Sequence, residues 1–218
     1  MTRSLCCAIV SIFLGSVAPV AAATLTNGSL TGPLATNGVP MGWSVSSDSP
    51  DTNDISSATG LANYDYAVTP VSSTNGGTWV GIGADGPGFW ESFSQTVTGF
   101  IVGESYELNW EVANFGYLTP LYGGDNGIKV LLDGVVIGSG AIHALESAWF
   151  HEGITFTATA ASQTLTFGLA TGTRSYVQID GIKLEVAAVP LPGAAGLLLA
   201  GLGMFGAARG LRRSKQLC

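Results

Sequence analysis

Residues 105–112, SYELNWEV, decide the fold, because apolar and polar side chains alternate through them without a break. Every second residue from Tyr106 to Val112 is apolar, and the residues between them are polar. Successive side chains of a β-strand point to opposite faces, so this alternation is typical of a half-buried strand. The pattern predicts a strand whose inward face carries Tyr106, Leu108, Trp110 and Val112.

Working outward, further strands are indicated on both sides of this one. Residues 128–137, IKVLLDGVVI, hold Asp133-Gly134 between two apolar runs, the pair of residues that favours a tight hairpin. Period-two patterns or apolar runs mark residues 79–82, 93–97, 154–158, 165–169 and 176–186, the last with a bulge at Gly181. Between residues 24 and 188, no window of twelve residues shows a helical stripe. These patterns predict an all-β, jelly-roll-like two-sheet β-sandwich, with loops over residues 33–73.

Charge is sparse and unevenly distributed. The 218 residues are 46% hydrophobic and 11% charged, with a mean hydropathy of +0.38 and a net charge of −7. All 15 acidic residues lie between Asp48 and Glu185, where only Lys129, Arg174 and Lys183 oppose them, so this part carries −12. Such an acidic domain is repelled by phosphate backbones, which excludes nucleic acid as the expected partner.

The N-terminus has the features of a secretory signal peptide over residues 1–23. Arg3 supplies the positive charge, residues 5–17 form an apolar run, and small residues at 21–23 provide a cleavage site. The domain expected to be exported is therefore residues 24–188. It contains no cysteine, since Cys6, Cys7 and Cys218 all lie outside it, so neither disulfides nor thiolate chemistry are expected there.

The C-terminus, residues 189–218, combines an uncharged segment with a basic end. Residues 186–208 form an uncharged segment that is long enough for one helix to cross a bilayer. The membrane span is predicted at about 190–208. Arg209, Arg212, Arg213 and Lys215 follow it, and such a cationic flank is typical of the cytoplasmic side of the inner membrane. An ordinary single-span anchor is the alternative interpretation.

Three features follow one another at the C-terminus: the motif Val189, Pro190, Leu191 and Pro192, the Gly/Ala/Leu-rich span, and the arginine cluster. Together they resemble a PEP-CTERM sorting signal of the Val-Pro-Leu-Pro-Ala type. Leu191 stands where the commonest form has Glu, and Gly193 stands where the variant usually has Ala. The resemblance implies recognition of residues 189–192 by an exosortase, a membrane processing enzyme of exopolysaccharide-producing Gram-negative bacteria. It also implies membrane anchoring before processing, and then a place at the cell surface or in the extracellular matrix.

The middle domain also resembles exported galactose-binding-like jelly rolls. The resemblance lies in residues 27–30 (NGSL), 42–43 (GW), 94–97 (SQTV) and 156–159 (FTAT), and in the closing 179–182 (IDGI). In that superfamily the first and last strands often hold calcium. Asp180 matches the closing ligand position, whereas Thr31 stands where an acidic residue is expected. Calcium is the one candidate cofactor, and Asp180 is its candidate ligand. Two other groups, Asp48/Asp51/Asp54 and Asp125-Asn126, also offer the oxygen ligands that calcium takes.

Aromatic residues supply the candidate ligand-binding site. Aromatic rings stack on sugar faces while neighbouring polar groups bind the hydroxyls. Trp90, beside a Gly-rich loop, is predicted to be the exposed platform, and Tyr117 and Tyr122 are the next candidates, whereas Trp110 and Trp149 are predicted to be core residues. His143 and His151 have no metal-site spacing and are predicted to lie on the surface or in loops.

No catalytic motif is recognised, so the protein is predicted to be non-enzymatic. The leading hypothesis is an exported cell-surface or exopolysaccharide-matrix protein that binds carbohydrate. A structural or adhesive matrix protein without a specific ligand is one alternative. A polysaccharide hydrolase is the other, since fifteen carboxyl groups contain many pairs that a fold can bring together.

Overall fold

The computed structural model describes residues 23–58, 65–88, 90–118 and 121–188. The chain divides into two units, Met1–Glu185 and Val186–Cys218, and only residues 186–188 of the second are described. The predicted signal peptide, the sorting motif, the membrane span and the basic tail fall on residues outside the described ranges, apart from the last residue of the signal, Ala23. Among the described residues, no helix has the length and apolar character needed to span a membrane.

In the described ranges, ten strands form two five-stranded antiparallel sheets, which confirms the all-β sandwich. The strands are β1 (Ser44–Ser47), β2 (Asp51–Asn53), β3 (Trp79–Ala84), β4 (Ser92–Thr98), β5 (Ser105–Ala113), β6 (Ile128–Leu132), β7 (Val135–Ser139), β8 (Phe150–Thr157), β9 (Ser162–Leu169) and β10 (Ser175–Val186). One sheet has the order β2-β3-β10-β5-β8 and the other has the order β1-β4-β9-β6-β7. We call them sheet A and sheet B.

Every strand predicted from the sequence is present. The alternation in β5 behaves as expected, since Tyr106, Leu108, Trp110 and Val112 are all buried. The β6–β7 turn has positive φ at both Asp133 (50°) and Gly134 (81°), which is the geometry of a type I′ hairpin. Gly181 also has positive φ (60°) and changes the face of β10 that points inward, as the bulge requires.

Strands β1 and β2 lie in the segment predicted to be all loops, and that part of the prediction is wrong. Their sequences, SVSS and DTN, are short and polar, so no periodic pattern marks them. Each is the edge strand of its sheet, β1 beside β4 and β2 beside β3. Backbone pairing with a longer neighbour, rather than a local preference of the residues, therefore makes them strands.

The core fills the space between the sheets with large aromatic and aliphatic side chains. Trp43 packs edge-on against Phe93 and Phe167, with ring centroids 5.1 and 5.8 Å away. A second, smaller cluster is formed by Trp79, Ala113 and Phe115, against which Tyr66, Val68 and Trp149 pack. Trp110 is a core residue as predicted, whereas Trp149 is half-buried against this smaller cluster.

The start of the described domain is tied to its end. The Ile182 N–H donates to the Gly28 carbonyl at 2.8 Å, and a Cβ on Gly28 would lie 2.1 Å from the Ile182 carbonyl oxygen. Glycine is required at residue 28 for this close approach. The NGSL and IDGI motifs noted in the sequence are thus brought together in the fold.

Candidate functional site

The candidate site is built where β3 ends and β4 begins. The Glu91 N–H donates to the Gly83 carbonyl at 3.0 Å, and the Gly83 N–H donates to the Glu91 carboxyl oxygen Oε2 at 2.6 Å. The Ser49 hydroxyl donates to the other oxygen, Oε1, at 3.1 Å. Burial, more than any neighbouring charge, raises the pKa of Glu91 from 4.5 to about 8.

A second buried carboxyl group, that of Asp51, comes from β2 on one side of β3. On the other side, Tyr176 of β10 donates its hydroxyl to Asp51 Oδ2 at 2.8 Å and accepts from the Asn53 amide at 2.7 Å. Burial raises the pKa of Asp51 from 3.8 to about 6, against the lowering effect of the Asn37 N–H and the Tyr176 hydroxyl. Burial, followed by the charge of Asp51, raises the pKa of the Tyr176 phenol.

Gly81 makes this arrangement possible. It lies in the middle of β3, and a Cβ there would be 2.3 Å from both the Tyr176 hydroxyl and the Asn53 amide nitrogen. No side chain larger than hydrogen fits without moving these groups. The glycine therefore leaves room for the side chains of two neighbouring strands to meet above the strand between them.

These groups line a cleft of about 110 Å³, which we call the tyrosine cleft. Three tyrosine rings stand together in it: Tyr117 lies 5.6 Å from Tyr122 and 5.5 Å from Tyr176, measured between ring centroids. Its lining residues are Asp51, Gly83, Ala84, Asp85, Glu91, Tyr117, Tyr122 and Tyr176. At one edge, Arg174 pairs with Asp85 and holds its guanidinium 5.7 Å from the Tyr122 ring centroid.

A second pocket of about 390 Å³ shares Glu91 with the tyrosine cleft, and we call it the Trp90 pocket. Lys129, Gly168 and Ser92 lie in one row across sheet B. The Lys129 ammonium lies 4.2 Å from the Trp90 ring centroid. Burial lowers the pKa of Lys129.

Trp90 itself is half-buried and packs against the core, and its indole N–H donates to the Gly86 carbonyl at 3.0 Å. The prediction that Trp90 is an exposed platform is therefore only partly met, because Lys129 covers one part of its ring. Tyr117 and Tyr122, the next candidates, lie beside each other and line one cleft.

Asp180, the candidate calcium ligand, lies elsewhere and is fully buried. It accepts hydrogen bonds from the Ser73 hydroxyl and, at 2.7 Å, from the Gly181 N–H, and burial raises its pKa to about 7. Glu111, expected on the solvent face of β5, is also buried and accepts from the Thr74 N–H at 3.1 Å. Its other oxygen, Oε1, has no hydrogen-bond partner and lies 3.6 Å from His151 Nε2.

Over the described part of the chain, no three His, Cys, Asp or Glu side chains are grouped to hold a metal ion. Asn126 is used structurally, since its amide group donates to the Ser175 hydroxyl and to the Thr171 and Thr173 carbonyls. Calcium also takes carbonyl and amide oxygens, so the calcium site at Asp180 stays a prediction.

The histidines have different surroundings. His143 stacks on Phe150 with centroids 4.0 Å apart and lies 2.9 Å from the Glu152 carboxylate, so it is a packed loop residue rather than a surface one. His151 is exposed and lies 3.6 Å from Glu111. They belong to no common site.

Sequence reasoning missed Glu91, Asp51 and Tyr176 as members of one site. Glu91 directly follows the candidate Trp90 in the sequence, and this adjacency was a signal that could have identified it. Asp51 was named only as a calcium candidate, and Tyr176 only as the start of a strand. Asp51 and Tyr176 are 125 residues apart, and only the strand order β2-β3-β10 brings them together.

Comparison with known proteins finds similarity in structure only. No family model matches the chain, and no curated protein sequence matches it. A cyclase from Fischerella sp. TAU, solved with 4-(1H-indol-3-yl)butan-2-one, is 15% identical with a TM-score of 0.50, over 78% of this chain and 100% of that one. This similarity concerns the fold alone.

Two carbohydrate-binding modules are also similar in structure. A family 35 module from Clostridium thermocellum is 12% identical with a TM-score of 0.39, over 66% of this chain and 98% of that one. The CBM4 structure is 14% identical with a TM-score of 0.42, over 75% and 99%. Of two other matched structures, the chain spans 64% of one and 19% of the other.

Proposed function

We propose that this protein is an exported, non-enzymatic carbohydrate-binding protein of the cell surface or exopolysaccharide matrix. The observation that carries the proposal is the tyrosine cleft, in which Tyr117, Tyr122 and Tyr176 stand beside the carboxyl groups of Asp51 and Glu91. The adjoining Trp90 pocket extends the same surface.

The chemistry of a sugar suits this combination of groups. The C–H face of a pyranose packs on an aromatic ring, and its hydroxyls donate to carboxylates. The cleft supplies rings and carboxyl groups from elements that are fixed by strand pairing, so little ordering is needed on binding. Ser47, Ser92 and Thr166 line the Trp90 pocket and offer hydroxyls to a second sugar unit.

A polysaccharide hydrolase is the alternative that one observation favours. Between pH 6 and pH 8 the pKa values of Asp51, about 6, and Glu91, about 8, keep the first mainly ionised and the second mainly protonated. A glycosidase needs such a pair. However, each oxygen of these two carboxyl groups already accepts a hydrogen bond from this chain, which weakens a nucleophile or base but still leaves Asp51 lone pairs for a ligand's donors, so binding is the function we propose.

Retention on the organism's own polysaccharide tests the binding proposal. Trp90→Ala and Tyr122→Leu should each weaken retention of the full-length protein, whereas Val135→Ala, which changes an exposed residue on β7, should not. Unchanged retention of both aromatic variants would favour the structural or adhesive matrix protein. Release of reducing ends that is lost in Glu91→Gln would instead identify a hydrolase.

Export and sorting are proposed from the sequence. Residues 1–23 would direct the chain through the inner membrane, and an exosortase-like membrane enzyme would process it at Val189, Pro190, Leu191 and Pro192. Mass spectrometry of surface material is the test, since the processed form should lack the basic tail. An intact Cys218 in surface material would contradict sorting and leave the single-span anchor as the better interpretation.

A further inference from the structure

We propose that the tyrosine cleft recognises a cationic ammonium group, so that the ligand is a polysaccharide containing amino sugars with free amino groups. This inference rests on the proposed carbohydrate binding and adds the chemical class of the sugar. It is carried by the composition and arrangement of the cleft lining.

The polar side chains of the lining can accept hydrogen bonds, and Arg174 at the edge of the cleft is paired with one of them, Asp85. These polar side chains are three carboxyl groups, from Asp51, Asp85 and Glu91, and three tyrosine phenols; no Lys, Arg, Asn or Gln is among the lining residues. At pH 7 Asp51, with a pKa of about 6, is mainly ionised and only accepts hydrogen bonds, whereas Glu91, with a pKa of about 8, is mainly protonated. A group that offers several N–H donors and a positive charge therefore satisfies this lining better than a neutral hydroxyl does.

The three rings provide the second part of the site. Tyrosine faces attract cations through their quadrupole, and closely grouped aromatic side chains are the common means of binding ammonium groups. Tyr117 stands between the other two, with ring centroids 5.6 Å from Tyr122 and 5.5 Å from Tyr176. The carboxylate of Asp51 lines the same cleft, so ring and charge attraction act on one bound group.

The chain's own cations already occupy this surface. The Arg174 guanidinium lies over Tyr122 at the edge of the cleft and pairs with Asp85, and it is 45% exposed. In the neighbouring pocket, the Lys129 ammonium lies 4.2 Å from the Trp90 ring centroid. The first contact shows that the Tyr122 ring accepts a cation, and the second shows the same for Trp90 in the neighbouring pocket.

The charge of the domain favours the same class of ligand at longer range. Fifteen acidic side chains against three basic ones between Asp48 and Glu185 create a negative field that attracts a polycation and repels a polyanion. A uronic-acid polymer would meet this repulsion, whereas a glucosamine polymer would not.

The test compares two oligosaccharides of matched length that differ only in N-acetylation, β-1,4-linked glucosamine and β-1,4-linked N-acetylglucosamine. Calorimetric titration of the full-length protein should give about tenfold or more tighter binding of the glucosamine form, since an ammonium on aromatic and carboxylate groups contributes at this level. Asp51→Asn, which removes the charge and keeps an acceptor, should weaken glucosamine binding by about fivefold or more and leave binding of the acetylated form within about twofold.

Two further variants keep the result interpretable. Tyr122→Leu removes a half-buried ring from the edge of the cleft and should lower glucosamine binding even if Asp51→Asn proves unstable in a thermal melt. Asp125→Asn removes one exposed negative charge outside the cleft lining and should change neither affinity.

Equal or tighter binding of the acetylated oligosaccharide would overturn the ammonium preference while leaving carbohydrate binding in place. An equal loss of glucosamine affinity in Asp125→Asn and Asp51→Asn would show that only the overall charge of the domain acts. That result would also overturn the cleft as the ammonium site. Binding of neither oligosaccharide refutes the amino-sugar class, and the retention assay on the native polysaccharide then decides whether carbohydrate binding itself fails.

Discussion

The buried Glu91 carboxyl should make the stability of this protein depend strongly on pH. Its pKa in the folded protein, about 8, lies above the ordinary value of 4.5, so folding favours the protonated form. Its contribution to stability is therefore complete below pH 4.5 and is lost as the pH rises through 8. Glu91→Gln keeps an acceptor for the Gly83 N–H and cannot ionise.

The expected size of the effect follows from the two pKa values. Each tenfold change in proton affinity corresponds to about 1.4 kcal/mol, so roughly 3 kcal/mol of unfolding free energy should be lost between pH 5 and pH 8 through Glu91. Asp51 and Asp180, with pKa values raised to about 6 and about 7, add losses of the same sign in both proteins.

Urea unfolding of the full-length protein, followed by tryptophan fluorescence at pH 5 and pH 8, measures this difference. Glu91→Gln should be close to wild type at pH 5 and more stable than wild type by about 3 kcal/mol at pH 8. Glu107→Gln, at an exposed residue of β5, is the control and should follow wild type at both pH values. If Glu91→Gln and wild type lose stability equally between the two pH values, Glu91 does not hold its proton and the description of the cleft is wrong.

Three other predictions concern packing and calcium. Gly81→Ala should displace the Tyr176 hydroxyl and lower the free energy of unfolding in urea by about 2 kcal/mol. Gly168→Ala is the control, because a Cβ there meets only ordinary contacts of 3.6 Å or more, and it should cost less than about 1 kcal/mol; equal losses in the two variants would contradict the role given to residue 81. Leu165→Ala empties a fully buried position between the sheets and should cost about 2–5 kcal/mol by the same assay, so a change below about 1 kcal/mol would argue against this core. Calcium binding at Asp180 predicts that a chelator lowers the melting temperature of the full-length protein, and an unchanged melting temperature would refute a calcium ion that stabilises the fold.

Much of the fold was predictable because its signals are local. The alternation in β5 and the Asp133-Gly134 turn act through neighbouring residues, so period and turn chemistry identify them without tertiary information. Strands β1 and β2 lack such signals, since three or four polar residues at a sheet edge become strands only through pairing with β4 and β3.

The candidate site was predictable only in part. Tyr117 and Tyr122 are close in sequence and both lie in one loop region, so their grouping was within reach. The expectation that Trp90 stands open to solvent came from its Gly-rich neighbourhood, and it could not include Lys129, which reaches the ring from another strand.

The sequence by itself therefore determined the class of fold, the turn residues and the unequal distribution of charge, because each depends on residue type and short-range order. The tertiary structure alone decided which carboxyl groups are buried, which of them share a cleft with aromatic rings, and which hold a proton near neutral pH. Ionisation depends on loss of water and on neighbours: burial raises the pKa of Asp51, and the Asn37 N–H and the Tyr176 hydroxyl, the latter 125 residues along the chain, lower it.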